Sequence, residues 1–346
     1  MIKSCYKKDS KGRIRVTHFK VEGSDIITMS GLLNGKLKET VIPCKPKNIG
    51  RSNETTAEQQ ALLELESRYK KKLDEGHFPT LDEAENSKVL LPMLAHSVKL
   101  NKLVYPVIVS PKLDGMRAMG NNTKIISRKG KEVNTLPHIV LPDTNGAWLD
   151  GELYAHGKDF QTNMSLIKKY RKGLTEDVKY HVYDIYIPNG EHSYIERHKE
   201  LSKLCCGIDN VEVVPYKLAD SEEELIAVHK EYLSLGYEGT MVRVNGVPYE
   251  LNKRSHSLLK YKDFIDEVYE IIDIVPNDKT PTHGTIVCEL GGITFKCGMK
   301  MSHEAREEML LNRDSYIGKQ AEVRFFEYSN NGVPRFPVCV GIRNDK

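Results

Sequence analysis

The C-terminal quarter of the chain carries the pattern that most restricts its fold. IDEVYEIIDIV, GTIVCEL, ITFKCG, AEVRFFEY and PVCVGI are five short β-type stretches, and one helical pattern, about residues 302–312, falls between the third and the fourth. Five strands with a helix in that slot predict an OB-fold barrel, with some other small β-barrel as the remaining arrangement. The same segment is acidic: from Asp263 onward 10 Lys+Arg stand against 14 Asp+Glu, although the whole chain is at +3. The residues before it therefore carry a modest basic balance, which fits either a solvated surface or a phosphate-binding face.

Upstream the pattern differs. From Leu103, strands alternate with helices: VYPVIVS, WLDGELYA, YHVYDIYI, VEVVPY and TMVRV read as strands, with a helix around Glu222 to Leu235. This predicts a mixed α+β domain ending near Lys262. Residues 1–50 read as short strands punctuated by Gly23, Gly31 and Gly35. A helix follows, started by the capping box Thr56/Gln59 and predicted to bury Leu62, Leu65, Tyr69 and Leu73. Arg68 and Lys70 to Lys72 load its last turns and Gly76 stops it. Phe78 to Lys88 reads as a linker. The expected division is 1–88, 89–262 and 263–346, an α+β chain throughout.

Several function classes fall away. The 346 residues are 39% hydrophobic and 29% charged, ordinary for a folded protein. No apolar run approaches the roughly 18 residues of a membrane span. The start, MIKSCYKKDSKGR, has no apolar core, so secretion is not expected. Seven cysteines without a CxxC pair give no support to a zinc ribbon, and reduced thiols in a cytoplasm-like compartment are expected. GxxxxGK[ST], HExxH, GxSxG and a strand-linked GxGxxG are all missing.

A different phosphate device stands at Lys112-Leu113-Asp114-Gly115-Met116-Arg117. A lysine directly after an apolar strand has its stem held while its amine projects. Asp114 is a local partner, Gly115 permits a tight turn, and Arg117 adds a second cation. Neighbouring cations and partial burial can lower such a lysine below its free pKa of about 10.4. Alone, the hexapeptide also fits a charged turn.

The set as a whole resembles the covalent nucleotidyltransferase superfamily of ATP-dependent DNA ligases, RNA ligases and mRNA capping enzymes. Lys112 to Arg117 resembles its nucleophile motif. Ser127-Arg128-Lys129-Gly130, Leu149-Asp150-Gly151-Glu152-Leu153, Tyr183-Asp184-Ile185, Glu238-Gly239-Thr240-Met241-Val242-Arg243 and Leu259-Lys260-Tyr261-Lys262 resemble those that follow, in order. Arg335, Arg343, Asp345 and Lys346 resemble the last, on the OB domain. The wording favours small ATP-dependent DNA ligases of the bacteriophage and viral type. That implies a nucleotidyltransferase, ATP-grasp-like adenylation domain followed by an OB-fold, preceded here by a small α+β region. The segment 48–77 is similar to the later part of WGR-type modules, without the Trp-Gly-Arg signature itself.

The resemblance implies roles. Lys112 would take AMP from ATP as a lysyl-AMP, pass it to the 5′-phosphate of a nick, and let the 3′-hydroxyl displace it. Glu152 would contact ribose or a metal, and Glu238 would hold Mg2+. Tyr183 would stack on adenine. Lys260 and Lys262, alternating on a strand, would grip the α-phosphate. Ser110, Asp114, Arg117, Arg343 and Lys346 complete the expected nucleotide set. Arg117, Ser127, Arg128 and Arg254 are the expected DNA contacts, and Arg197 is read as helix surface or packing. The position two before the nucleophile, often Glu in DNA ligases, is Ser110, so the adenine amino group needs another reader. The expected partner is nicked double-stranded DNA, bound by a monomer in the cytoplasm. A GTP-dependent capping guanylyltransferase and a catalytically silent DNA-end-binding protein are the alternatives.

Overall fold

The computed structural model of the chain describes residues 2–9, 11–87, 90–278, 280–329 and 331–343. It divides into a unit of residues 1–261 and a unit of residues 262–346.

The first unit opens with an antiparallel meander of β1 (Ile2–Lys8), β2 (Ile14–Glu22), β3 (Asp25–Leu32) and β4 (Lys38–Pro43). Helix α1 (Ala57–Asp74) covers it, with the Thr56/Gln59 capping box formed. Leu65, Tyr69 and Leu73 pack on Cys5 and Phe19, while Ala61 packs on Ile26 and Cys44. Leu62 does not join them and is exposed. The buried stripe runs at steps of four through Ala61, so the neighbouring leucine turns outward. The expected linker is also partly ordered. Phe78 exchanges backbone hydrogen bonds with Tyr6 at 2.8 Å each way, and a second capping box, Thr80/Glu83, starts the short helix α2 (Leu81–Asn86).

The remainder of this unit holds two five-stranded sheets. In chain order the elements are β5 (Leu94–Ser97), β6 (Val107–Lys112), β7 (Met116–Gly120), β8 (Ile125–Ser127), β9 (Trp148–Tyr154), α3 (Phe160–Lys168), β10 (Lys179–Tyr186), α4 (Tyr194–Leu204), β11 (Val211–Val213), β12 (Lys217–Ala219), α5 (Glu222–Ser234), β13 (Gly239–Arg243) and β14 (Arg254–Tyr261). One sheet has the order β11-β10-β9-β7-β8, the other β12-β6-β13-β14-β5. Each is apolar on one face. Leu149, Leu153, Tyr180 and Val182 of the first pack with Leu166, Ile167 and Leu201 of α3 and α4. Val107, Val109 and Val242 of the second pack with Leu225 of α5. The opposite faces are thereby left for polar side chains.

The second unit is a closed barrel, β15-β16-β17-β19-β18, built from β15 (Ile265–Pro276), β16 (Gly284–Leu290), β17 (Ile293–Met299), β18 (Gln320–Phe325) and β19 (Val338–Arg343). Helix α6 (His303–Leu311) falls between the third and fourth strands, as the pattern predicts for an OB-fold. Tyr269, Ile271, Ile286, Phe295, Val323 and Phe325 fill the barrel. All seven cysteines are free thiols. Among the described residues no helix is long and apolar enough to cross a membrane.

Candidate active site

Strand register decides which polar side chains meet. Lys112 ends β6 opposite Gly239 of β13, and Ser110 lies opposite Met241; Met241 in turn lies opposite Lys260 of β14. Paired residues point to one side of a sheet, so Ser110, Lys112, Arg243 and Lys260 share a face. On the other sheet Arg117 lies opposite Glu152, and Asp150 shares the face of Glu152 at a spacing of two. The turn after Lys112 comes very close to this second sheet. A Cβ on Gly115 would stand 2.2 Å from the Leu153 carbonyl oxygen and 3.0 Å from Glu152 Cγ. Only glycine lets the lysine-bearing turn approach β9 so closely.

The Lys112 ammonium pairs with the Glu238 carboxylate, and the Glu238 N–H donates to the Lys112 carbonyl at 2.9 Å. Burial pushes the Lys112 pKa down; the Glu152 and Asp114 carboxylates oppose this, and the Arg117 guanidinium adds to it. Burial also raises Glu152 to about 7, against the pull of Lys112 and Arg117. Lys260 is lowered by burial and by the charges of Lys112, Arg254 and Arg128. A depressed lysine within reach of three carboxylates, with further cations close by, suits nucleophilic attack on a phosphate. Among the described residues no cluster of three or more His, Cys, Asp or Glu could hold a metal ion. Two carboxylates with room for substrate phosphates is how magnesium is commonly held, and Glu238 with Glu152 fits that donor chemistry.

Tyr183 sits where the register of β10 shifts, between Val182 and Asp184. Its hydroxyl donates to the Gly151 carbonyl at 3.3 Å and to Glu152 Oε2 at 3.4 Å. The guanidiniums of Arg117 and Arg243 lie 5.7 and 5.6 Å from its ring centroid. Beneath it is a buried charge network. Arg197 grips Asp184 through Nε at 2.7 Å and Nη2 at 3.1 Å. Arg243 lies over Tyr194 at 4.5 Å and donates to Ser110 Oγ at 3.2 Å. Ser110 is 1% exposed, so its hydroxyl is engaged with Arg243. Arg197 is a buried partner of Asp184, which resolves the choice between helix surface and packing.

The other expected residues are spread more widely. Arg117 is held by Asp150 in a two-pronged pair at 3.0 and 2.6 Å, and Tyr249 Oη donates to the same carboxylate at 2.7 Å. Ser127 and Arg128 stand at the end of β8, with Arg128 exposed. Arg254 opens β14 and donates to the Ala95 carbonyl. Lys262 does not continue β14. It falls one residue past the strand, in the second unit, with its ammonium 4.2 Å from the Phe326 ring centroid. In that unit Arg335 pairs with Glu327 and Arg343 with Glu322 at 2.6 Å; Lys346 lies outside the described residues. Sequence reasoning assigned no site role to Arg243, Asp150 or Tyr249. The first two stand inside quoted motifs, which was the available signal, whereas Tyr249 carried none.

Two sheets that present a strand-end lysine, paired carboxylates and an aromatic, followed by an OB barrel, define a nucleotidyltransferase. Comparison with known proteins makes this specific. Residues 92–262 match the ATP dependent DNA ligase domain and residues 281–343 the DNA ligase OB-like domain. The chain is 26% identical over 251 residues to the DNA ligase of Haemophilus influenzae, covering 70% of this chain and 89% of that protein. It is 25% identical over 350 residues to a DNA ligase of African swine fever virus (isolate Tick/Malawi/Lil 20-1/1983), covering 89% and 80%. Its fold is similar to the solved structure of a Lig E DNA ligase, described as binding DNA with a minimal scaffold, at a TM-score of 0.65 and 23% identity over 74% of this chain and all of that one. The chain belongs to the ATP-dependent DNA ligase family, and the capping alternative is not favoured.

Proposed function

We propose that this ligase seals nicks in duplex DNA through a covalent adenylate on Lys112. The observation that carries the reading is the convergence of Lys112 with Glu238, Glu152 and Lys260 between two sheets. In the first step Lys112 Nζ, having lost its proton, attacks the α-phosphorus of ATP. A P–N bond forms and the bond to pyrophosphate breaks. The adenylate then passes to the 5′-phosphate at the nick, and the 3′-hydroxyl attacks that phosphate and expels AMP. All three steps are in-line transfers, which depend on positioning and charge stabilisation.

The residues divide this labour. Tyr183 stacks on the adenine, with Ser110 and Arg243 below it and Asp114 beside the lysine turn. Lys260 binds the α-phosphate and Lys262 joins it. Glu238 and Glu152 hold Mg2+, which neutralises phosphate charge when bound. Arg117, Ser127, Arg128 and Arg254 meet the nicked strand. Arg343 and Lys346 serve the adenylation step from the OB domain. In this reading residues 1–88, 89–262 and 263–346 act as an N-terminal module, an adenylation domain and an OB domain. The enzyme works as a monomer in a cytoplasm, that of the host if the source is viral. A duplex with one 5′-phosphorylated nick tests the reading. ATP and Mg2+ should yield the sealed strand, and Lys112→Ala should not; a nick left unsealed by the unaltered chain would contradict it.

A further inference from the structure

The N-terminal module and the adenylation sheets face one another within the first unit. A cavity of about 960 Å3 lies there, lined by Lys7, Arg15, His77, Trp148, Tyr186 and Asn252 among others. Beside it, three contacts from the end of α1 converge on a single feature, the turn of residues 127–131. Lys129 Nζ donates to Glu75 Oε1 at 2.8 Å. Lys131 Nζ donates to Asp74 Oδ2 at 3.1 Å. Gly76, at φ +77°, brings its Cα so close that a Cβ would stand 3.3 Å from the Lys129 carbonyl oxygen.

That turn carries Arg128. It is closed by the Ser127 N–H on the Lys131 carbonyl at 2.7 Å and the Gly130 N–H on the Ser127 carbonyl at 2.8 Å. The Arg128 N–H ties it to the Arg117 carbonyl at 3.2 Å, and Arg117 is itself clamped by Asp150. The Arg128 charge is felt at Lys260, so the turn borders the reaction site. On its outer side the turn is held by α1. Carboxylates at the C-terminal end of a helix oppose its dipole, so Asp74 and Glu75 are poorly placed for the helix alone. Their lysine partners explain the placement, and the bond from Lys129 holds the Glu75 carboxyl below the usual range.

We propose that the N-terminal module is a brace for this turn. Asp74 and Glu75 are positioning residues that hold Arg128 in place for the phosphates of a nicked duplex. The proposal rests on the reading of Arg128 as a DNA contact. It makes a prediction whose sign separates it from charge effects. Removing two carboxylates from a basic surface would by simple electrostatics tighten binding to a polyanion. Loss of a brace weakens it.

The full-length Asp74→Asn/Glu75→Gln variant is to be compared with the unaltered chain and with Arg128→Ala, in self-adenylation and in binding and sealing of a nicked duplex. The brace predicts unchanged self-adenylation, an apparent KM for nicked duplex raised about fivefold, as expected for two exposed ion pairs, and faster hydrogen exchange at the Ser127 and Gly130 amides. Tighter or unchanged duplex affinity in that variant, with Arg128→Ala still impaired, would overturn the brace while leaving the DNA contact standing. An Arg128→Ala variant that binds and seals normally would overturn the contact and the brace with it.

Discussion

Lys112 has its pKa lowered chiefly by burial, with Glu152 and Asp114 pulling the other way. A lowered lysine is neutral at a lower pH than a free one. Self-adenylation at saturating ATP should therefore rise with pH about a midpoint below the free value of about 10.4; a midpoint at or above it would contradict the account. Deeper in the fold, Arg197 and Asp184 are 3% and 1% exposed. Arg197→Ala leaves a buried carboxylate without its two-pronged partner, which should cost about 3–5 kcal/mol in urea unfolding. Lys112, Glu152 and Glu238 were legible in the sequence because each sits in a short motif of charged residues and glycine in or beside a strand. The partners of Arg117 and Ser110 were not. Asp150 and Arg243 become partners only through the pairing of β7 with β9 and of β6 with β13, which no local spacing encodes.

The decisive element for the chemistry is the turn between β6 and β7. It brings Lys112 against β9 because Gly115 has no side chain to strike the Leu153 carbonyl. Gly115→Ala should displace the lysine and lower self-adenylation at least tenfold, with a loss of stability of about 1–3 kcal/mol from the clash with β9; near-normal adenylation in that variant would contradict the geometry. Legibility at this scale followed signal strength. Helix α1 announced itself by its capping box, yet its buried face was misplaced at Leu62 because three and four-residue steps both fit the leucines. The short strands β5, β8 and β12 are too brief to show a period, and their place is set by the neighbours they pair with. The turn of α2 was hidden behind Pro79 and a run of acids.

For the whole molecule, the order of an α+β domain and a five-stranded barrel with α6 in the third interval was readable from the sequence, since strand count and helix position are local patterns. The contact of α1 with the turn of residues 127–131 was not, because it joins segments far apart in the chain through side chains that look like ordinary solvated charge. The same basic surface predicts a marked salt dependence of duplex binding. Arg128→Ala should reduce the slope of log affinity against log salt by about 0.9, the loss of one phosphate contact; an unchanged slope would place Arg128 away from the backbone. The proposed sealing reaction depends on Lys112 forming a covalent adenylate. The most direct measurement is incubation with Mg2+ and either α-labelled ATP or α-labelled GTP, followed by a denaturing gel, with Lys112→Ala alongside. The account predicts label from ATP only, lost in Lys112→Ala. Label from GTP, or label retained without Lys112, would contradict it.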